Sequence, residues 1–158
     1  DLEKRGCAFD PDVPLGIMIE IPSIAAIADL AAKEVDFASI GTNDLCQYFC
    51  AVDRMNDSIG GYYQSYSPAF IRLLSGIIGA FNDAGKEISM CGEMAGDPKA
   101  TGVLIGVGLR KFSMNAASIA KIKWRLSELT ADKARGTAHN IRRFTTQEET
   151  LHYLENEE

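Results

Sequence analysis

The sequence predicts an α/β fold: four consecutive β/α units, half of a TIM (β/α)8 barrel, followed by a C-terminal helical tail. Three observations carry this expectation. Between residues 15 and 129, short apolar runs alternate four times with stretches whose apolar residues recur at helical spacing. Strands separated by whole helices run parallel, because parallel neighbours need a crossover connection whereas antiparallel ones can join through a tight turn. A complete barrel takes about 250 residues, so a chain of 158 residues holds half of one.

Taken in order, residues 2–5 read as the last turn of a helix whose beginning is absent, which implies a truncated N-terminus. Residues 15–21 are the first strand. Pro22 and Ser23 open an alanine-rich helix through residue 33, with Ile24, Ile27 and Leu30 at helical spacing. Residues 35–40 are the second strand, and residues 45–52 a short helix. A polar, tyrosine-bearing excursion over residues 53–67 has the character of an active-site loop. Phe70, Leu73, Leu74, Ile77, Ile78 and Phe81 mark one face of a strong helix, ended by Ala84 and Gly85. The third strand covers residues 88–91, the third unit's helix 98–107, the fourth strand 111–114 and the fourth unit's helix 118–129. Residues 1–130 are thereby assigned to the half barrel. Residues 131–158 are a polar helical appendage in which Thr145 or Thr146 caps a helix carrying Leu151 and Leu154.

Composition narrows the function classes. With 46% hydrophobic residues the chain can bury one sizeable core, and it is too short for two full domains. A net charge of -6, with no basic cluster larger than the pair Arg142 and Arg143, argues against a nucleic-acid surface. No apolar run approaches the roughly 20 residues that span a bilayer, and no signal peptide precedes Leu2, so a cytoplasmic setting without membrane attachment is expected. Cys7, Cys46, Cys50 and Cys91 lack the paired spacing of a zinc site, and Cys46 and Cys50, four apart, read as packing residues.

The chemistry concentrates at strand ends, where α/β folds place their active sites. SMCGEMAGD over residues 89–97 puts Cys91 at the carboxyl end of the third strand. GIMIEIP over residues 16–22 and SIGTNDL over residues 39–45 put Glu20, Asn43 and Asp44 at the ends of the first two. Arg54 adds a fixed positive charge. Together these groups describe a site for a metal ion and an anionic substrate. Each has a plainer reading when taken alone: Glu20 as a surface carboxylate, Asp44 as a helix N-cap, Asn43 as a turn residue, Arg54 as the ion-pair partner of Asp53 or Asp57, and Cys91 as a buried small hydrophobe.

These motifs, with AVDR over residues 51–54 and FSM over residues 112–114, occur in one order from about Phe9 to Leu129. They closely resemble the C-terminal half of the phosphoenolpyruvate-binding barrel in the Enzyme I family, the phosphoenolpyruvate-protein phosphotransferases of the bacterial sugar phosphotransferase system. The resemblance implies a fragment of an enzyme that moves phosphoryl from phosphoenolpyruvate to an enzyme histidine and on to the histidine-phosphocarrier protein, releasing pyruvate for sugar uptake. Glu20 and Asp44 match the family's ligands for Mg2+; Asn43, Asp44 and Arg54 match its substrate-binding residues; Cys91 matches its proton donor to the enolate. Glu93 is expected to keep that thiol protonated if its side chain points inward. The resemblance also implies a homodimer formed through the barrel.

Two positions depart from the family pattern, Met55 where glycine is common and Ala120 where proline is usual. The phosphohistidine domain, the carrier-docking helices and the first half of the barrel are not in this sequence, so the isolated chain is expected to be inactive. Neither His139 nor His152 sits in an acceptor motif. Pyruvate phosphate dikinase and phosphoenolpyruvate synthase share the Glu, Asn-Asp and Cys-Gly elements and form the nearest alternative. A non-enzymatic half-barrel assembly module is the other.

Overall fold

The computed structural model describes residues 1–156. Strands β1 (Gly16–Ile19), β2 (Phe37–Gly41), β3 (Glu87–Cys91) and β4 (Lys111–Phe112) form one parallel sheet in the order β1-β2-β3-β4. Each strand lies beside its successor in sequence, the arrangement of half a β/α barrel. The register pairs Ile19 with Ile40 and Gly41 with Cys91. The carboxyl ends of the first three strands therefore finish level, and the residues that follow them share one edge of the sheet. The last strand is shorter than the sequence predicts, although the amide of Ser113 still reaches the Met90 carbonyl at 2.8 Å.

The helices are α1 (Pro22–Ala25), α2 (Ala28–Glu34), α3 (Thr42–Cys50), α4 (Pro68–Asp83), α5 (Pro98–Gly106), α6 (Ala116–Glu128), α7 (Ala131–Ile141) and α8 (Gln147–Asn156). The single helix expected over residues 22–33 is broken at Ile27, whose φ of -119° and ψ of 30° leave the helical region. Its core face is also different. Ala25, Ala28, Ala31 and Ala32 are buried, while Ile27 and Leu30 are 46% and 51% exposed. Small side chains let the backbone of α2 approach α4, and that close approach turns the larger residues outward.

The helix α4 is the centre of the fold. Ser67 caps its first turn by accepting the Phe70 amide, and Pro68 starts it without losing a hydrogen bond. Phe70, Ile71, Leu74, Ile77, Ile78 and Phe81 are buried along one face. Burying a side chain of this size stabilises by about 1.5–3 kcal/mol relative to exposure. Gly85, at φ 66°, turns the chain so that the Lys86 amide bonds the Phe81 carbonyl at 2.9 Å and β3 begins.

The C-terminal helices fold back onto the same core. A Cβ at Gly106 would stand 2.0 Å from the Ala134 carbonyl oxygen, so the glycine is what lets α7 lie against α5. Ala138 and Ile141 of α7 and Leu154 of α8 join the hydrophobic cluster of the sheet and α4. Of the two candidate caps, Thr146 accepts the Glu149 amide at 3.2 Å, while the Glu149 carboxylate accepts the Thr145 and Thr146 amides. This is a reciprocal capping box. Among the described residues no helix is long and apolar enough to cross a membrane.

Candidate active site at the carboxyl edge of the sheet

The chain passes from β2 into α3 without a loop, so Asn43 and Asp44 stand in the first turn of α3. Neither the turn reading of Asn43 nor the N-cap reading of Asp44 holds, because the cap position is Gly41, which has no side chain to give a capping bond. A carboxylate in this first turn is favoured by the exposed amides of the helix start. Gly41 has a second role. A Cβ there would lie 2.7 Å from Glu20 Cγ and 2.8 Å from Glu20 Oε1. The missing side chain makes room for the Glu20 carboxylate to lie against the end of β2, where α3 begins.

The third strand end is tied to the same helix. Thr42 donates its hydroxyl to the Cys91 carbonyl at 2.9 Å, and Asn43 Oδ1 accepts the Glu93 amide at 3.1 Å. A backbone N–H can only donate, so the atom facing it must be the carboxamide oxygen, and the Asn43 NH2 is left as a donor for another acceptor. Gly92 lies between these two bonds at φ 95°, and a Cβ on it would meet Thr42 Oγ1 at 2.4 Å and Asn43 Oδ1 at 2.9 Å. Only glycine satisfies both the backbone angle and the space.

Cys91 is half-buried and not sequestered in the core, with Sγ 3.5 Å from the Ile40 carbonyl at the end of β2. Glu93 is exposed, and its backbone amide is the group bound by Asn43. Arg54 Nη2 is 3.5 Å from Asp44 Oδ1. Its backbone amide donates to Gln47 Oε1 at 3.2 Å. Of the alternative partners, Asp53 accepts the Met55 amide and caps a local turn. Among the described residues no three or more His, Cys, Asp and Glu side chains are grouped to hold a metal ion. Glu20 directly follows β1, and Asp44 stands in the first turn of α3 after β2.

Two tyrosines and an aspartate that sequence reasoning missed join this edge. Tyr63 donates to the Asn43 carbonyl at 3.3 Å, and Tyr66 donates to Asp97 Oδ2 at 2.5 Å. Burial above all holds both hydroxyls well above the usual tyrosine range, helped for Tyr63 by nearby Cys46 and for Tyr66 by the bond to Asp97. Both therefore act as neutral donors. With Thr42, Asn43, Ser65, Glu93, Met94 and Asp97 they line a cavity of about 100 Å3. Glu20, Asp44, Arg54 and Cys91 do not line it, and its size suits a few water molecules. The available sequence signals were the clustered tyrosines of the 53–67 excursion and the placement of Asp97 directly before Pro98, where it caps α5.

Residues 1–131 match the family of PEP-utilising enzymes, in its PEP-binding domain. The chain is 47% identical over 153 residues to a phosphoenolpyruvate-protein phosphotransferase of Bacillus subtilis, covering 97% of this chain and 27% of that protein. Proteins of the same name from Priestia megaterium and Staphylococcus aureus are each 45% identical, over 97% and 99% of this chain and again 27% of theirs. The chain thus spans roughly a quarter of the length of the curated relatives it matches.

Proposed function

The chain belongs to the family of PEP-utilising enzymes, and from that premise we propose that it supplies the carboxyl-terminal half of a phosphoenolpyruvate site in a phosphoenolpyruvate-protein phosphotransferase. The observation that carries this is the convergence of Glu20, Asn43, Asp44, Arg54 and Cys91 on one edge of the sheet, with Gly41 and Gly92 vacating the space two of them need. Glu20 and Asp44 would hold Mg2+, a hard ion satisfied by one or two carboxylates, with water and substrate oxygens filling its other positions. When bound, the ion supplies charge neutralisation to the oxygens of the reacting anion.

The remaining roles belong to the chain's own side chains. Asn43, its carboxamide oxygen already held by the Glu93 amide, presents NH2 to a substrate oxygen. Arg54 offers paired N–H donors to the phosphoryl group and steadies its charge during transfer. Loss of that group leaves an enolate. The Cys91 S–H then breaks in favour of a C–H bond at the methylene carbon, giving pyruvate and a thiolate that is later reprotonated.

The phosphoryl acceptor in this reading is a histidine outside the chain, since neither His139 on α7 nor His152 on α8 sits in an acceptor motif. Onward transfer to a histidine-phosphocarrier protein and a cytoplasmic location belong to the same proposal. No observation favours the dikinase, synthase or non-enzymatic readings.

Calorimetric titration of the purified chain tests the core of this reading. Phosphoenolpyruvate should bind weakly and only with Mg2+ present, and Glu20→Ala and Asp44→Ala should each abolish that binding. Binding that ignores the ion, or survives both substitutions, overturns the assignment. Radiolabelled phosphoenolpyruvate should leave no stable label on the chain by itself.

A further inference from the structure

The geometry points to α8 as part of the active-site scaffold, with Gln147 and Tyr66 as positioning residues for the segment 53–67 that carries Arg54. This inference rests on the substrate site proposed above. Gln147 is the first residue of α8, and its Oε1 accepts the backbone amide of Tyr66 at 3.0 Å across 81 residues of sequence. The Tyr66 hydroxyl is held by Asp97 Oδ2, while Asp97 Oδ1 accepts the Lys99 amide and caps α5. Tyr66 is therefore gripped through its backbone by α8 and through its side chain by the end of the SMCGEMAGD motif.

The rest of the segment depends on these anchors. Three residues before Tyr66, Tyr63 reaches the Asn43 carbonyl; at the other end the Arg54 amide is bound to Gln47. Between them, residues 55–58 and 60–62 are exposed, and their bonds are mostly local. The hydrogen bonds that tie the segment to other elements stand at its ends: one at Arg54, to α3, and three at Tyr63 and Tyr66, to α3, α8 and Asp97. The base of the strap is itself rigid. Leu154 and Thr150 of α8 are buried, Lys99 of α5 pairs with Glu155 at 2.7 Å, and the Phe144 and Tyr153 rings meet edge to face at 5.3 Å. Since α8 lies beyond the 131 residues that match the family, the contact adds a support from outside the matched PEP-binding domain.

Three variants of the full chain test this: Gln147→Ala, Gln147→Glu, which keeps an acceptor oxygen, and Tyr66→Phe, which keeps the ring. Amide hydrogen exchange over residues 53–67, Mn2+ affinity and phosphoenolpyruvate affinity with Mg2+ are compared. In Gln147→Ala, exchange at Tyr66 should accelerate and phosphoenolpyruvate binding should weaken, each by up to about tenfold, the scale of one hydrogen bond. Mn2+ affinity should not fall, because Glu20 and Asp44 lie outside residues 53–67 and a looser Arg54 competes less for Asp44. Gln147→Glu should restore exchange and affinity, and Tyr66→Phe should reproduce the loss. Unaltered exchange and affinity in Gln147→Ala, or a parallel fall in Mn2+ affinity, overturns the inference. If the unsubstituted chain binds no phosphoenolpyruvate, the site reading fails and the exchange comparison alone decides whether α8 holds the segment.

Discussion

Arg54 Nη2 lies 3.5 Å from Asp44 Oδ1, so the side chain proposed to grip the phosphoryl group is paired with a carboxylate proposed to hold the metal ion. The two side chains are 35% and 43% exposed. Ion pairs this open contribute about 0–1 kcal/mol, and Arg54→Ala should leave stability within that range. Its effect on ligands should be opposite for the two partners. Removing a competing cation from Asp44 strengthens Mn2+ binding while weakening phosphoenolpyruvate binding. Asp44→Asn, by contrast, should weaken Mn2+ binding by at least about tenfold. Paramagnetic resonance titration distinguishes them, and Mn2+ binding weakened in both variants would refute the competition.

Cys91 gives a second prediction, about catalysis more than binding. Its thiol sits at the strand end with Sγ 3.5 Å from the Ile40 carbonyl, within reach of the edge where the substrate is proposed to lie. In a complete transferase carrying this chain, Cys91→Ala should slow pyruvate formation by about a hundredfold or more, the usual contribution of a positioned acid. Phosphoenolpyruvate affinity should hold. Alanine at Cys7 or Cys50 should change neither quantity. Coupled assay of pyruvate beside equilibrium binding separates the two effects, and a wild-type rate for Cys91→Ala removes the thiol from the mechanism.

The sheet was legible in the sequence because each strand is a short apolar run punctuated by turn residues, and the placement of Glu20, Asn43, Asp44 and Cys91 along one edge was legible because they directly follow or end those runs. The break at Ile27 was not. Apolar periodicity weighs Ile27 and Leu30 above alanine, whereas close helix packing selects the smallest side chains, here Ala28, Ala31 and Ala32. Nor can local pattern mark the bonds from Tyr66 to Asp97 and Gln147, which span 31 and 81 residues. The fit of α7 was equally hidden, since it depends on Gly106 meeting a carbonyl of Ala134.

The two glycines of the site should respond differently to alanine. At Gly92 the new Cβ would stand 2.4 Å from Thr42 Oγ1 on a backbone at φ 95°. Strain of this kind costs about 1–3 kcal/mol, and the displaced Asn43 should lose phosphoenolpyruvate binding as well. At Gly41 the obstacle is the flexible Glu20 side chain, which can swing away. Gly41→Ala should thus lower Mn2+ affinity with a smaller loss of stability. Urea unfolding with ion titration checks both, and equal stability losses would show that Glu20 has no room to move.

Stability should fall at alkaline pH. Burial, and then the neighbouring Cys50 with its sulfur 3.8 Å away, push the Cys46 thiol from its ordinary 9.0 up to about 12. Between these values the unfolded chain releases a proton that the folded chain keeps, so rising pH favours unfolding. The contribution is fully present below pH 9.0 and lost as pH climbs toward 12, with Tyr63 and Tyr66 adding to the decline above their ordinary 10.0. Urea midpoints at about pH 8 and about pH 10 should differ, and Cys46→Ala should flatten the early part of the curve. A pH-independent midpoint in the unsubstituted chain contradicts the burial of this thiol.

The apolar surface beside β1 sets the last expectation. β1 is an edge strand, its outer side unpaired within the sheet, and Val13, Leu15, Met18 and Ile21, on it or within three residues of it in sequence, are exposed. Leu15 is 69% exposed. An open edge flanked by large apolar side chains is a template for pairing with another chain. The chain by itself should self-associate, with a sedimentation coefficient that rises with concentration. Charge on the edge opposes such pairing, so Leu15→Lys with Met18→Lys should shift the equilibrium toward monomer while leaving Mn2+ affinity intact. A monomer across the whole accessible concentration range, indifferent to those substitutions, would mean that the strip is tolerated in water as it stands.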